Sequence, residues 1–215
     1  MFSYSNAYCY SRDWSFTEMT LEMKHLQTLL EHYSLVGAPS GSTYVRWGRK
    51  SCPTTSELVY DGYAGGGLWS HSGAGTNYLC LPKNPEWAPP QSPRYNSHVY
   101  GAEYETHDSF LDAVTDHDVP CAVCRANRTT VLLIPAKRTC PTRWIREYYG
   151  FLMTEKYNHA SSKEFVCMDG SPETLTGTYV NRNGALFYFQ KASCGSLPCD
   201  PYISGRELTC VVCTK

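Results

Sequence analysis

The chain lacks any apolar run long enough to cross a bilayer or to form the core of a signal peptide; its opening, Phe2-Ser3-Tyr4-Ser5-Asn6-Ala7-Tyr8-Cys9, is polar and aromatic. Membrane insertion is therefore not expected. It also lacks blocks of like charge: 19 Lys and Arg stand against 20 Asp and Glu in 215 residues, a formal net charge of −1. No basic stripe suits nucleic acid, and no charged run makes a solvating tail. Catalytic motifs are scarce as well. No Gly-Lys-Ser/Thr follows Gly65-Gly66-Gly67 or Gly73-Ala74-Gly75, so these glycines read as turns rather than phosphate loops. No nucleophile elbow surrounds Ser70-His71-Ser72, which reads as a surface turn. His98, His107 and Asp116-His117-Asp118 carry ligand-type side chains without the short histidine pairing that marks a metal site. No catalytic residue, metal or cofactor is expected, and an enzyme is not.

What the chain does have is cysteine. Eleven of them imply an oxidising compartment. Together with the polar opening, this suggests the mature or truncated product of a secreted precursor. The 17 tyrosines and 16 glycines favour strands and turns over helix bundles. One cysteine pattern occurs twice. Cys52-Pro53, Cys80, Cys121 and Cys124 recur as Cys140-Pro141, Cys167, Cys210 and Cys213, at offsets of 88, 87, 89 and 89 residues. A period this long is a folded unit, not a solenoid turn. The neighbourhoods match too: Tyr60-Asp61-Gly62-Tyr63 stands opposite Tyr148-Tyr149-Gly150-Phe151, and Gly101-Ala102-Glu103-Tyr104 opposite Gly184-Ala185-Leu186-Phe187.

The two Cys-x-x-Cys pairs admit three readings. A redox motif needs a helix starting after the first cysteine, whereas Ala-Val and Val-Val here suit a strand. One four-sulfur zinc site would strand Cys52, Cys80, Cys140 and Cys167. Structural disulfides within each copy use all eight, which favours that reading, although spacing leaves the connectivity open. Cys194 and Cys199 read as a local loop closed by its own bridge. Cys9 is the odd cysteine, suited to an interchain bridge or a free thiol.

The expected fold is mainly β: two tandem disulfide-stabilised β subdomains related by duplication, preceded by a short N-terminal helix. Residues 1–14 read as irregular. Over 15–36, Phe16, Met19, Met23, Leu26, Leu30 and Tyr33 recur at spacings of 3, 4, 3, 4 and 3, a heptad seam with a Ser15/Glu18 capping box. This predicts a helix that associates with other copies; a single amphipathic helix lying on its own domain is the plainer alternative. Residues 37–42 are a linker by composition, followed by a first repeat over 43–128 and a second over 129–215. Alternating patterns predict strands at Thr43–Trp47, Leu58–Tyr60, Thr129–Ile134, Trp144–Tyr149, Ala185–Phe189 and Leu208–Val212. The Gly-, Pro- and Ser-rich stretch 64–98 is an insertion expected to form surface loops. Asn127-Arg128-Thr129 is a glycosylation acceptor at the joint between the copies. Trp69, His71, Asn77, Tyr78, Trp87, Tyr95 and Glu103 are candidate ligand-binding residues, because aromatics beside amides and carboxylates suit sugar rings or peptide anchors. The competing reading is that these aromatics fill a core.

Several stretches carry a family resemblance. Cys140-Pro141-Thr142-Arg143-Trp144 with Tyr149-Gly150-Phe151, and the closing Cys121-Ala122-Val123-Cys124, resemble the carboxy-terminal non-collagenous domain of type IV collagen. Thr43-Tyr44-Val45-Arg46-Trp47-Gly48-Arg49, Asn77-Tyr78-Leu79-Cys80-Leu81-Pro82, Tyr100-Gly101-Ala102-Glu103-Tyr104 and Gly205-Arg206-Glu207-Leu208-Thr209-Cys210 resemble more closely the related spongin short-chain collagen family. The resemblance covers about residues 43–215 and implies an all-β fold and trimers. It also implies the pairs Cys52–Cys124, Cys80–Cys121, Cys140–Cys213, Cys167–Cys210 and Cys194–Cys199. No Gly-X-Y repeat stands before residue 43; the heptad helix occupies that place. The expected function is an extracellular structural or interaction module that assembles with itself, as a homotrimer, or with related chains or matrix proteins. The alternative is a secreted recognition protein that binds glycans or microbial surfaces through the 64–104 loops.

Overall fold

The computed structural model describes residues 16–36, 40–90 and 95–215. Residues 1–14 with Cys9, the Ser15 cap, and 37–39 of the expected linker lie outside the described residues, as do the side chains of Phe16, Leu30 and Tyr33. The protein is mainly β: one ten-stranded mixed sheet, one N-terminal helix and five disulfides. It divides into two compact units, one ending at Ser40 and one over Gly41–Lys215. The first contains helix α1 (Phe16–Val36). Its described side chains are all exposed, Met19, Met23 and Leu26 of the seam among them.

The second unit holds β1 (Ser42–Trp47), β2 (Ser56–Gly66), β3 (Leu79–Pro82), β4 (Tyr100–Tyr104), β5 (Pro120–Ala126), β6 (Val131–Pro135), β7 (Ile145–Thr154), β8 (Val166–Asp169), β9 (Ala185–Phe189) and β10 (Thr209–Thr214). The strand order is β6-β10-β7-β8-β1-β5-β2-β4-β9, with β3 on β2 and β9 also on β7. The stretch 64–98 is thus not loop throughout, since β3 lies inside it. Two partners hold that short strand: the ladder to β2, Tyr63 opposite Leu81 and Ala64 opposite Cys80, and the bridge from Cys80 to Cys121.

The two halves use one register. β5 lies between β1 and β2, with Cys124 opposite both Tyr44 and Leu58 and Cys121 opposite both Trp47 and Gly62. β10 lies between β6 and β7, with Cys213 opposite Leu132 and Arg146 and Cys210 opposite Pro135 and Gly150. Each three-strand set carries one register shift. Because β5 and β10 are central, they are buried almost throughout, which explains short runs without clean alternation. Gly62 and Gly150 sit at the matching point where the next strand passes close by. A Cβ there would overlap the carbonyl oxygen of Leu81 or of Met168, so only glycine fits.

The disulfides repeat the same symmetry. Cys52–Cys124 and Cys140–Cys213 close separations of 72 and 73 residues; Cys80–Cys121 and Cys167–Cys210 close 41 and 43. Cys194–Cys199 closes a local loop. Each Cys-x-x-Cys motif is therefore split between two bridges. That is sterically natural, since alternate residues on a strand face opposite ways and a spacing of three puts the two sulfurs on opposite faces. Five bridges mark an oxidising environment. Among the described residues no helix is long and apolar enough to cross a membrane.

The halves meet in shared cores. Trp47, Tyr78 and Tyr104 pack with Met153, Met168 and Phe187; Tyr44 packs with Tyr148, Leu152 and Val212. Polar groups tie the seam between them. The buried Glu147 carboxylate accepts from Tyr44 (2.9 Å), Thr55 (2.7 Å), Ser56 (2.8 Å), Thr214 (2.5 Å) and Arg128 (2.5 Å). Burial alone would raise its pKa, but the hydrogen bonds outweigh burial and hold it near about 2. Arg46 donates to Asp169 through two nitrogens at 2.8 Å, and the Tyr148 hydroxyl donates to the carbonyls of Val45 and Cys167.

Candidate functional site

Seven residues were expected to form a binding face, and their surroundings divide them. Trp69 and His71 follow the end of β2. The Trp69 ring lies 4.7 Å from that of His159, and His71 meets Tyr100 edge-on at 5.9 Å. Asn77 is exposed, and Trp87 and Tyr95 expose 86 % and 82 % of their surfaces. Tyr78 and Glu103 are interior. The Tyr78 ring stacks on Phe187 at 4.0 Å, and its hydroxyl donates to the Leu186 carbonyl at 2.6 Å. Burial raises the Tyr78 hydroxyl well above its ordinary value. The Glu103 carboxylate accepts from the backbone N–H groups of Arg182 and Asn183 at 3.1 Å. Burial raises it, and these two donors counter the rise. Chemically, Tyr78 and Glu103 are anchors for the fold, whereas the exposed aromatics offer faces to a ligand. Asn127 is exposed between β5 and β6, where a glycan would meet no obstruction from the core.

Beneath Trp69 lies a charged cluster that sequence reasoning missed. Glu155, just past β7, accepts from Lys163 Nζ (2.8 Å), His159 Nδ1 (2.8 Å) and the backbone N–H of Leu186 (3.3 Å). Lys163 also donates to Ser161 Oγ at 2.9 Å, and its ammonium lies 5.9 Å from the Tyr78 ring centroid. Lys163 and Glu155 are buried side by side. Lys163 Nζ is thus shared between a carboxylate and a hydroxyl, which ties Glu155 and Ser161 together. The cluster fastens the 155–164 turn under the loop that carries Trp69, whose backbone also pairs with that turn. In sequence, Glu155, His159 and Lys163 recur at a spacing of four, a helical signal in a segment that is not helical, so periodicity could not identify them.

A groove of about 610 Å³ opens beside β4, lined in part by Tyr63, Leu81, Lys83, Asp118, Leu175 and Thr178. Lys83 pairs with Asp61 near its rim. Burial raises the Asp118 carboxyl, against the pull of Arg182. Past the end of β4, Glu105, His107 and Asp116 come together with their ligand-type atoms within 4.8 Å of one another. Of these, only His107 and Asp116 stood out in the sequence; Glu105 carried no signal. The chain matches no protein-family model and no curated protein.

Proposed function

We propose that this chain is a secreted structural module of the spongin short-chain and type IV collagen-like kind, built from two duplicated β subdomains, which assembles into trimers through its helix and its sheet edges. The observation that carries the assembly is the exposed heptad seam of α1: Met19, Met23 and Leu26 present apolar side chains to solvent. Burying each against partner helices is worth about 1.5–3 kcal/mol, enough to favour association of chains already held close. The matched registers and paired disulfides of the two halves support the duplication. β3 and β6 each pair along one edge among the described strands, and both carry an exposed leucine, Leu79 and Leu132. Such edges accept a strand from another chain.

Light scattering on the non-reduced protein tests this reading. A mass of three chains at micromolar concentration is expected, falling to one chain in Leu26→Glu; a wild-type monomer would end the proposal. Cys9 lies just before the helix, and peptide mapping that finds it joined to a second Cys9 would mark covalent oligomers.

The exposed rings of Trp87 and Tyr95 favour a second reading, recognition of glycans on the same fold, since tryptophan faces left in water are suited to stacking on sugars. A glycan array probed with wild type and a Trp69→Ala/Trp87→Ala variant tests it. Silence across the array removes this reading without touching the first.

A further inference from the structure

The backbone between β4 and β5 folds back on itself. The Tyr104 N–H donates to the His117 carbonyl (3.1 Å), and the Asp116 N–H donates to the Tyr104 carbonyl (2.9 Å). This two-bond ladder sets residue 105 beside residue 116. The Thr106 hydroxyl, 2.9 Å from that of Thr115 and 3.0 Å from the Leu111 carbonyl, closes the loop between them. His107 lies on that loop, its Nε2 3.6 Å from Glu105 Oε2 and 3.7 Å from Asp116 Oδ1. Two carboxylates from opposite sides of the loop and one imidazole thus converge.

Their hydrogen bonding sets this group apart from an ordinary surface cluster. The Glu105 side chain is only 8 % exposed, with His107 Nε2 3.6 Å from its Oε2. Asp116 Oδ1 is buried and has no hydrogen-bond donor. A buried carboxylate oxygen without a donor costs about 1–3 kcal/mol or more, so native structures seldom leave one unsatisfied. The carboxylates buried among the described residues all have donors: Glu147 five, Glu155 three, Glu103 the N–H groups of Arg182 and Asn183, and Asp169 those of Arg46 and Ser171. A cation among the three groups would supply what the protein does not.

We propose that Glu105, His107 and Asp116 bind a divalent transition-metal ion of the zinc class, through Glu105 Oε2, His107 Nε2 and Asp116 Oδ1, with the fourth position open to water. Ligands at about 2.0–2.1 Å in a tetrahedron stand roughly 3.3 Å apart. The two edges from His107, 3.6 and 3.7 Å, reach that by closing a few tenths of an ångström, and the third, between the two carboxylates, lies within 4.8 Å and closes as the ion draws them together. Calcium would want six or more oxygen ligands, and magnesium rarely takes imidazole, so a His-plus-two-carboxylate set selects the borderline ions. Bound there, the ion clamps the 105–116 loop shut across its neck. The proposal does not depend on the chain's oligomeric state or its ligand.

The test is titration of chelator-treated full chain with zinc, calcium and magnesium chlorides, with cobalt(II) as a spectroscopic substitute. One zinc per chain with micromolar or tighter affinity is expected, together with visible d–d absorption from cobalt and a higher melting temperature in zinc. Losing a ligand should weaken zinc by at least the roughly 10–100-fold that follows loss of an outer-shell partner. His107→Ala is the decisive variant, because that side chain is 59 % exposed and its removal leaves the fold intact. Asp116→Asn should weaken zinc similarly, whereas His98→Ala, an exposed histidine elsewhere, should not. The proposal fails if zinc does not saturate at one per chain, if calcium binds and zinc does not, or if His107→Ala binds zinc as wild type does.

Discussion

Replacing Glu147 by glutamine removes one charge from the most heavily hydrogen-bonded carboxylate among the described residues. Its side chain is fully buried, and its five donors come from both halves: Tyr44, Thr55, Ser56 and Arg128 on one side and Thr214 on the other. The folded pKa of about 2 lies below the ordinary glutamate value of 4.5. At about 1.36 kcal/mol per pKa unit, ionised Glu147 contributes about 3 kcal/mol at neutral pH. The sign follows from the depression. This stability is complete above the unfolded value and is lost as pH falls through about 4.5 towards about 2. Glutamine keeps the shape but turns an amide N–H₂ towards groups that are themselves donors, Arg128 above all. Breaking a buried pair from one side costs about 3–5 kcal/mol, in line with the linkage figure. Urea unfolding of the non-reduced protein, followed by tryptophan fluorescence at pH 7, 5, 3 and 2, measures both. Glu147→Gln should lose about 3 kcal/mol at pH 7, and its gap to wild type should shrink steadily below pH 5. A gap under about 1 kcal/mol at pH 7, or one that does not shrink in acid, would refute the reasoning.

Other expected outcomes follow from the same structure. Gly62→Ala and Gly150→Ala should each destabilise by about 2 kcal/mol or more in urea, because the added methyl meets a backbone carbonyl that the sheet cannot move; Gly101→Ala, where a Cβ meets nothing within 4 Å, should cost far less. Removing Cys52–Cys124 as a double alanine variant should cost about 4 kcal/mol by loop-closure entropy over its separation of 72 residues, against about 2 kcal/mol for Cys194–Cys199 with its separation of 5. Equal losses would mean that chain entropy is not the main term. Lys163→Met should cost about 3–5 kcal/mol, since it leaves Glu155 buried without its ammonium, and Glu155→Leu in the same chain should recover much of the loss.

Much of the frame was legible in the chain, since disulfides and strand alternation are local signals. The paired cysteines, the short strand-like runs Leu58–Tyr60 and Leu208–Val212, and the heptad spacing of 15–36 each announce an element on their own. The site was legible only in part. Trp87 and Tyr95 stand out as aromatics in a Pro-rich stretch and are exposed; Tyr78 and Glu103 are equally conspicuous but are interior, because burial is a property of the neighbours and not of the residue. Glu105 and the Glu155–Lys163 pair are ordinary charges in sequence and carried no pattern at all.

By itself the sequence determined the repeat length, the oxidising compartment, the mainly β character and the helix at the front, because each depends on spacing or composition within a short span. Only the tertiary structure decided that the two halves interlock. β9 of the second half pairs with β4 of the first, Trp47 meets Phe187, and Glu147 draws donors from across the seam. It alone also set a carboxylate at 105 against one at 116. Contacts between residues far apart in the chain follow from how strands order themselves in a sheet, and that order is chosen by the fit of whole faces, which no single segment encodes.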